Sequence, residues 1–369
     1  MASLCTATII LSLIALALLS SWYSSWSSSI FEDSVQNAAQ TVIDRFSRPR
    51  STIWLSLDGR LYHRHFNPAA ACNLIDDCWR CDHRWKENRQ ELANCALGFG
   101  KNSAGGMNGE VNIVTDNSDD DAINPATGTL RWGLIQTDHK TLDGRGADVH
   151  IAGGACLTAE NVSNITIHGI SIHDCKPTGP ADMRLSPDHI RDRGRTDGDA
   201  VTIRGSRDIW LDHNHLYNSA DGLVHVVEGS KGITISNNYF INHNKVMLFG
   251  ANAADIIDIA MQVTVAFNHF GEGLTQRIPS PTINSKGNKF MAGNTKEVTK
   301  CISSNGNTND GGENWNWRSV DDVFHNGAFF VTSGLKDSTS FYSKATSFAA
   351  RPAVMVAGMT IDAGPLITP

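Results

Sequence analysis

The sequence predicts a solenoid of parallel β-strands stacked coil on coil, and three observations predict it. Rows aligned from Ile165, Ile209, Ile233, Val263 and Ile283 all carry an apolar residue seven positions later: Ile172, Leu216, Phe240, Phe270 and Phe290. Five positions later, four of the five rows carry Asn (Asn214, Asn238, Asn268 and Asn288), and the first carries Ile170. The third observation is the spacing of ionisable residues: Asp199 to Asp221 is 221 − 199 = 22 positions, and Asp221 to Lys245 is 245 − 221 = 24. A period in the low twenties is the size of one solenoid coil. An apolar residue at a fixed offset builds an interior stack. An Asn at a fixed offset can bond its amide to the next Asn along, satisfying turns that face inward. Unrelated strands in a sandwich would fix neither offset. Residues one coil apart share a face, so Asp199, Asp221, Lys245 and Arg277 are expected in a line on one sheet.

The remaining segments follow in chain order. Residues 1–29 read as a signal peptide: Ile9 to Leu19 is apolar, a Ser-rich stretch follows, and the run is shorter than the about 20 residues of a membrane span. Residues 30–67 are polar and mixed, and read as a loosely ordered N-terminal segment. Residues 68–330 form the solenoid domain with its N-terminal cap. Within it, Trp85, Leu92 and Ala96 fall near helical spacing among charged residues, so Asp76 to Leu97 predicts a short amphipathic helix ended by Gly98-Phe-Gly100. That helix is the candidate cap over the open end of the coils. The Gly-rich stretch Asn102 to Asn108 lacks the G-K-[ST] of a phosphate loop. Val111 to Val114 reads as a first strand, and Asp116 to Asp121 as a solvated acidic turn. Thr141 to Ala147 and Val149 to Ile151 open the regular coils. Pro177 to Arg195 interrupts them with a polar loop, and the period fades beyond Phe290. Residues 331–369 read as a tail packed on the outside of the coils.

Composition narrows the function. The 369 residues are 19% charged and 8% aromatic with a net charge of −7, an ordinary globular chain and a poor nucleic-acid partner. No later segment would span a membrane, so a secreted, extracellular monomer is expected. Removing Cys5 with the signal leaves Cys72, Cys78, Cys81, Cys95, Cys156, Cys175 and Cys301, an odd number. Cys78-Trp-Arg-Cys81 has no second such pair, so disulfides suit these residues better than zinc. Two sequons lie side by side, Asn161-Val-Ser163 and Asn164-Ile-Thr166. One of them is expected to carry a glycan, because Asn164 opens a strand.

Long motifs then identify a relative. They are Ile75-Asp-Asp-Cys-Trp-Arg-Cys81, Cys95-Ala-Leu-Gly-Phe-Gly-Lys101, Thr141-Leu-Asp-Gly-Arg-Gly146, Ile167-His-Gly-Ile170 and Ile172-His-Asp-Cys175. They continue through Asp197-Gly-Asp199, Ile209-Trp-Leu-Asp-His213, Thr234-Ile-Ser-Asn-Asn238, Lys245-Val-Met-Leu248, Ala266-Phe-Asn-His-Phe-Gly-Glu-Gly273 and Trp315-Asn-Trp-Arg318. The chain resembles the plant pectate lyases, including the related pollen allergens. The resemblance implies an all-β, right-handed parallel β-helix and the pairings Cys78–Cys95 and Cys156–Cys175, with Cys72, Cys81 and Cys301 left over. It also implies cleavage of polygalacturonate (pectate) in the cell wall by β-elimination.

That reaction needs the substrate carboxylate neutralised, a base at C5, and the enediolate-like intermediate stabilised. A hard cation serves the first and third, and calcium takes oxygen ligands. Asp199 and Asp221 are the expected Ca2+ ligands. Asp197 shares the face of Asp199 by strand alternation and is expected to hold a second, substrate-bridging ion. The resemblance makes Arg277 the base and Lys245 the contact to the substrate carboxylate. An arginine base requires a cationic cluster and alkaline pH. Asp212-His213 is read as structural.

Three departures from the family stand out. His225 replaces a third carboxylate ligand, so calcium should bind about tenfold more weakly or worse. After Arg277-Ile-Pro279 the chain runs through Ser280 into Pro281-Thr-Ile283, omitting a coil-sized segment with a substrate-binding arginine. A comparable segment is missing between Gln136 and Thr141. A catalytically impaired homologue that binds pectate weakly is therefore the alternative. A hydrolase using Asp197 and Asp199 as acid and base would leave Lys245 and Arg277 without roles.

Overall fold

The computed structural model describes residues 50–55, 73–80, 82, 84–136, 139–250, 256–274, 282–293, 296–299, 316–333 and 352–365. Arg277, the signal segment 1–29, Cys72, Cys81 and Cys301 lie outside the described residues.

Short β-branched strings are the building unit. Strands such as Ser163–His168, Arg207–Asp212, Lys231–Ser236 and Val263–Ala266 pair in parallel, each one coil after the last. Parallel neighbours cannot be joined by a tight turn, so every return to this sheet passes through the others. The described strands form a nine-stranded, a seven-stranded and a four-stranded parallel sheet. This is the parallel β-helix. Its interior repeats the sequence pattern. Ile172, Leu216, Phe240, Phe270, Phe290 and Phe324 occupy one register position of the seven-stranded sheet. The four Phe rings stack at centroid separations of 5.1, 4.6 and 5.4 Å.

The Asn positions form a second stack at the corner leading into that sheet. Asn238 Oδ1 accepts the backbone N–H of Asn214 at 2.9 Å, Asn268 Oδ1 that of Asn238 at 3.0 Å, and Asn288 Oδ1 that of Asn268 at 2.8 Å. Each Nδ2 also reaches a strand carbonyl, as from Asn238 to Leu211 at 3.1 Å. Asp322 Oδ1 ends the ladder by accepting from Asn288 N at 2.7 Å.

Four elements differ from the sequence expectation. Arg50–Leu55, within the segment read as loosely ordered, is a strand. It pairs in parallel with Glu110–Val114 on one side and His139–Asp143 on the other. The chain leaves the nine-stranded sheet at Val114 and returns two places along at His139, so the N-terminal strand fills the place left between them. Its Ser-Thr-Ile-Trp-Leu run is β-prone, but its pairing is out of chain order and no period reports it.

The stretch expected as one helix divides into the α-helix Leu74–Arg80 and the 3-10 turns Arg89–Cys95 and Gly98–Asn102. The helix covers the outer side of the nine-stranded sheet. Ile75, Trp79, Leu92 and Ala96 pack with Trp210, Phe267, Val356 and Met359. Gly100 lies so close to the sheet that a Cβ would meet Ile209 O at 2.7 Å, so the turn can dock only through glycine. A further helix, Leu130–Ile135, packs Leu130 and Leu134 on the coil interior. Pro177 to Arg195 contains an antiparallel ribbon, Ala181–Ser186 with His189–Arg193. Residues 352–365 lie against the same outer side, where Gly364 N donates to His213 O at 2.7 Å.

Candidate active site

The four-stranded sheet is assembled from Leu157–Glu160, Val201–Arg204, Val224–Val227 and Met247–Phe249. Alternation turns Val201, Ile203, Val224, Val226, Met247 and Phe249 into the interior, where all are buried. The outward residues between them, in one register, are Thr202, His225 and Leu248. Asp199 and Asp221 sit just before two of these strands, on the turns that deliver them.

Asp199 is 7% exposed. Its Oδ1 accepts from Gly222 N at 2.6 Å, and its Oδ2 from Thr202 Oγ1 at 2.8 Å. His225 Nδ1 lies 3.0 Å from the same Oδ2. Burial alone would push this carboxyl up; His225, Gly222 and Thr202 together outweigh it and hold it below the usual carboxylate range. Lys245 Nζ is bonded to Asp221 Oδ1, and the His243 ring to the Asp221 carbonyl. One ligand atom from each of Asp199, Asp221 and His225 falls within 4.8 Å of the others. His225 is 7% exposed, and its Nε2 has no hydrogen-bond partner. A Cβ on Gly222 would stand 2.0 Å from that nitrogen, so only glycine leaves room for the ring.

The arrangement fits a divalent cation: two carboxylates and an imidazole converge, and the imidazole's Nε2 is buried and unsatisfied. It does not fit calcium fully, because a hard cation takes oxygen and His225 presents nitrogen.

Asp197 is exposed and outside this cluster. Residues 197–200 are not strand, and Gly198 has φ +89°, so the alternation expected to align Asp197 with Asp199 is broken. Glu228 pairs with Arg204 at 2.6 Å, away from the cluster. Sequence reasoning missed Thr202, His243 and Gly222. The recurrence of Asp-Gly at Asp197-Gly198 and Asp221-Gly222 is the signal that points to Gly222.

A second cluster, His168, Asp212 and His213, is fully buried beneath the Leu74–Arg80 helix. His213 Nδ1 faces Asp212 Oδ2 at 2.7 Å and its Nε2 faces Asp76 Oδ1 at 2.9 Å. Arg80 joins Asp76 at 3.1 Å and Asp362 at 2.5 Å. Burial pushes the His213 pKa down, and Asp212 and Asp76 push it further up, to about 9. This ion network ties helix, sheet and C-terminal segment together, in keeping with a structural Asp212-His213.

Both expected disulfides are present, Cys78–Cys95 and Cys156–Cys175. The second ends beside the four-stranded sheet, at Leu157. Asn164 is buried, with Oδ1 accepting from Ala104 N at 3.1 Å, whereas Asn161 is exposed. Of the two sequons, Asn161 is the one open to a glycan.

Fold and site together define a parallel β-helix protein with two carboxylates and an imidazole gathered beside one sheet. The chain belongs to the pectate lyase family. The pectate lyase family model matches residues 134–286. The probable pectate lyase 5 of Arabidopsis thaliana is 48% identical over 345 residues, covering 80% of this chain and 84% of the relative. The pectate lyase of Zinnia elegans is 46% identical, covering 80% and 85%. Among solved structures, Jun a 1, the major allergen from cedar pollen, is 38% identical with a TM-score of 0.70, covering 80% of this chain and all of that one.

Proposed function

We propose that this protein is a secreted, cell-wall lyase that cleaves α-1,4-linked polygalacturonate by β-elimination with the help of a divalent cation. The observation that carries the reading is the convergence of Asp199, Asp221 and His225, with Lys245 bonded to Asp221, on the outward side of one sheet.

Elimination runs from an acidic C5–H. A base takes that proton, its bonding electrons form the C4–C5 double bond, and the C4–O bond breaks to release the leaving chain. Arg277 is the proposed base. Lys245, partly exposed beside the carboxylates, receives the substrate carboxylate and offsets its charge. Asp199 is locked by three contacts and so fixes the His225 ring. Asp221, bonded to Lys245, would also hold the cation. The cation, when bound, neutralises the substrate carboxylate and makes C5–H more acidic. Calcium is the ion the family resemblance implies, held by Asp199 and Asp221. Asp197 is the proposed contact for a second, substrate-bridging ion. The protein is expected to act as a monomer.

The test counts products. Every new reducing end on polygalacturonate should be matched by one ultraviolet-absorbing unsaturated end. Chelator should remove both signals, and Arg277→Lys should remove nearly all turnover while leaving the fold intact. Reducing ends without absorbance would mean hydrolysis, and a fully active Arg277→Lys variant would mean a different base.

A further inference from the structure

We infer that the Asp199–His225–Asp221 site takes a nitrogen-accepting divalent cation of the zinc and cobalt class in preference to calcium. The inference rests on the reading of this sheet as the active site, and it concerns which ion that site selects.

His225 Nε2 is the telling atom. It belongs to a side chain 7% exposed, and it has no hydrogen-bond partner. A buried polar atom left unsatisfied is costly and calls for an explanation. The other ring nitrogen supplies one. Nδ1 lies 3.0 Å from Asp199 Oδ2, and a carboxylate can only accept, so Nδ1 carries the proton. Nε2 then presents a lone pair. A histidine whose far nitrogen donates to a carboxylate is the usual arrangement around a metal-bound imidazole.

Asp199 is committed to that role. Its two oxygens already accept from Gly222 N, Thr202 Oγ1 and His225 Nδ1. It therefore acts mainly from behind His225, orienting the ring. Asp221 is the carboxylate left to bind, with Oδ1 held by Lys245. Glycine at 222 is what lets the ring take this position, since any side chain there would collide with Nε2. An imidazole nitrogen together with carboxylate oxygen is a donor set that zinc and cobalt accept. Calcium takes six to eight oxygens and gains little from it.

Calorimetric titration of the whole secreted chain with Zn2+, Co2+ and Ca2+, without substrate, tests this. His150 Nδ1 and His173 Nε2 face each other at 2.9 Å on another sheet and could bind zinc themselves, so all proteins carry His150→Ala and His173→Ala. The expected result is one site binding Zn2+ at least about tenfold more tightly than Ca2+, with His225→Asp lowering that ratio at least about tenfold. Equal affinity for the two ions, or a ratio unmoved by His225→Asp, would overturn the inference. Should His225→Asp not fold, the Co2+ form with His225 present should show one paramagnetically shifted imidazole N–H by NMR, and its absence would overturn the inference too. The lyase reading is judged separately, by the unsaturated product. Zinc selectivity without product leaves the ion assignment standing and removes the lyase. Product with calcium and an unchanged ratio does the reverse.

Discussion

The Asn corner and the four-stranded sheet are built from the same coils, yet they use repetition in opposite ways. At the corner, Asn214, Asn238, Asn268 and Asn288 do the same work in successive coils, each amide bonded to the next. On the four-stranded sheet, one register position runs Thr158, Thr202, His225 and Leu248, so the residue changes at each of the last two steps. The corner leaves no Asn amide unpaired among these four, whereas the sheet leaves His225 Nε2 unsatisfied. Repeated residues supply stability, and the place where repetition lapses supplies chemistry. The two should therefore fail separately when altered.

The largest stability loss is expected at the corner. Asn238→Ala would strip the Asn214 N–H of its acceptor and Leu211 O and Asn268 Oδ1 of a donor, inside a fully buried stack. Unsatisfied buried groups cost about 1–3 kcal/mol each and do not add fully, so about 4 kcal/mol should be lost in urea unfolding. Activity per folded molecule should stay near wild type. A loss within about 1 kcal/mol would mean that the ladder adds little.

A smaller effect should appear at the ion network beneath the helix. His213 has its folded-state pKa raised to about 9, above the about 6.5 of an unfolded chain. Its contribution is fully present below about pH 6.5 and is lost as pH rises through about 9. The shift corresponds to about 3 kcal/mol at most. Unfolding followed from pH 6 to 10 should show that decline in wild type and a flatter profile in His213→Asn. Parallel profiles would mean that His213 is neutral in the folded protein.

The same contrast explains what could be read from the sequence. The Asn and Phe stacks were visible because a fixed offset in sequence becomes a fixed place in the coil. Asp199, Asp221 and Lys245 are visible because they recur at about one coil's distance, and His225 through the family resemblance. Asp197 stands apart from Asp199 because Gly198 turns the backbone where alternation is assumed. The strand Arg50–Leu55 joins the sheet out of chain order, and the Leu74–Arg80 helix docks on the side of the coils through contacts with Trp210 and Phe267. Neither leaves a periodic trace. Thr202 and Gly222 gain their roles only from the turn geometry around Asp199.

Elimination on the four-stranded sheet should draw on groups that the scaffold does not need. The direct measurement is the rate of ultraviolet-absorbing product from polygalacturonate by Asp221→Ala, read beside its unfolding midpoint. The account predicts at least about a hundredfold loss of rate with stability within about 1 kcal/mol of wild type, since Asp221 is partly exposed and its ion pair lies at the surface. Undiminished product formation by that variant would contradict it.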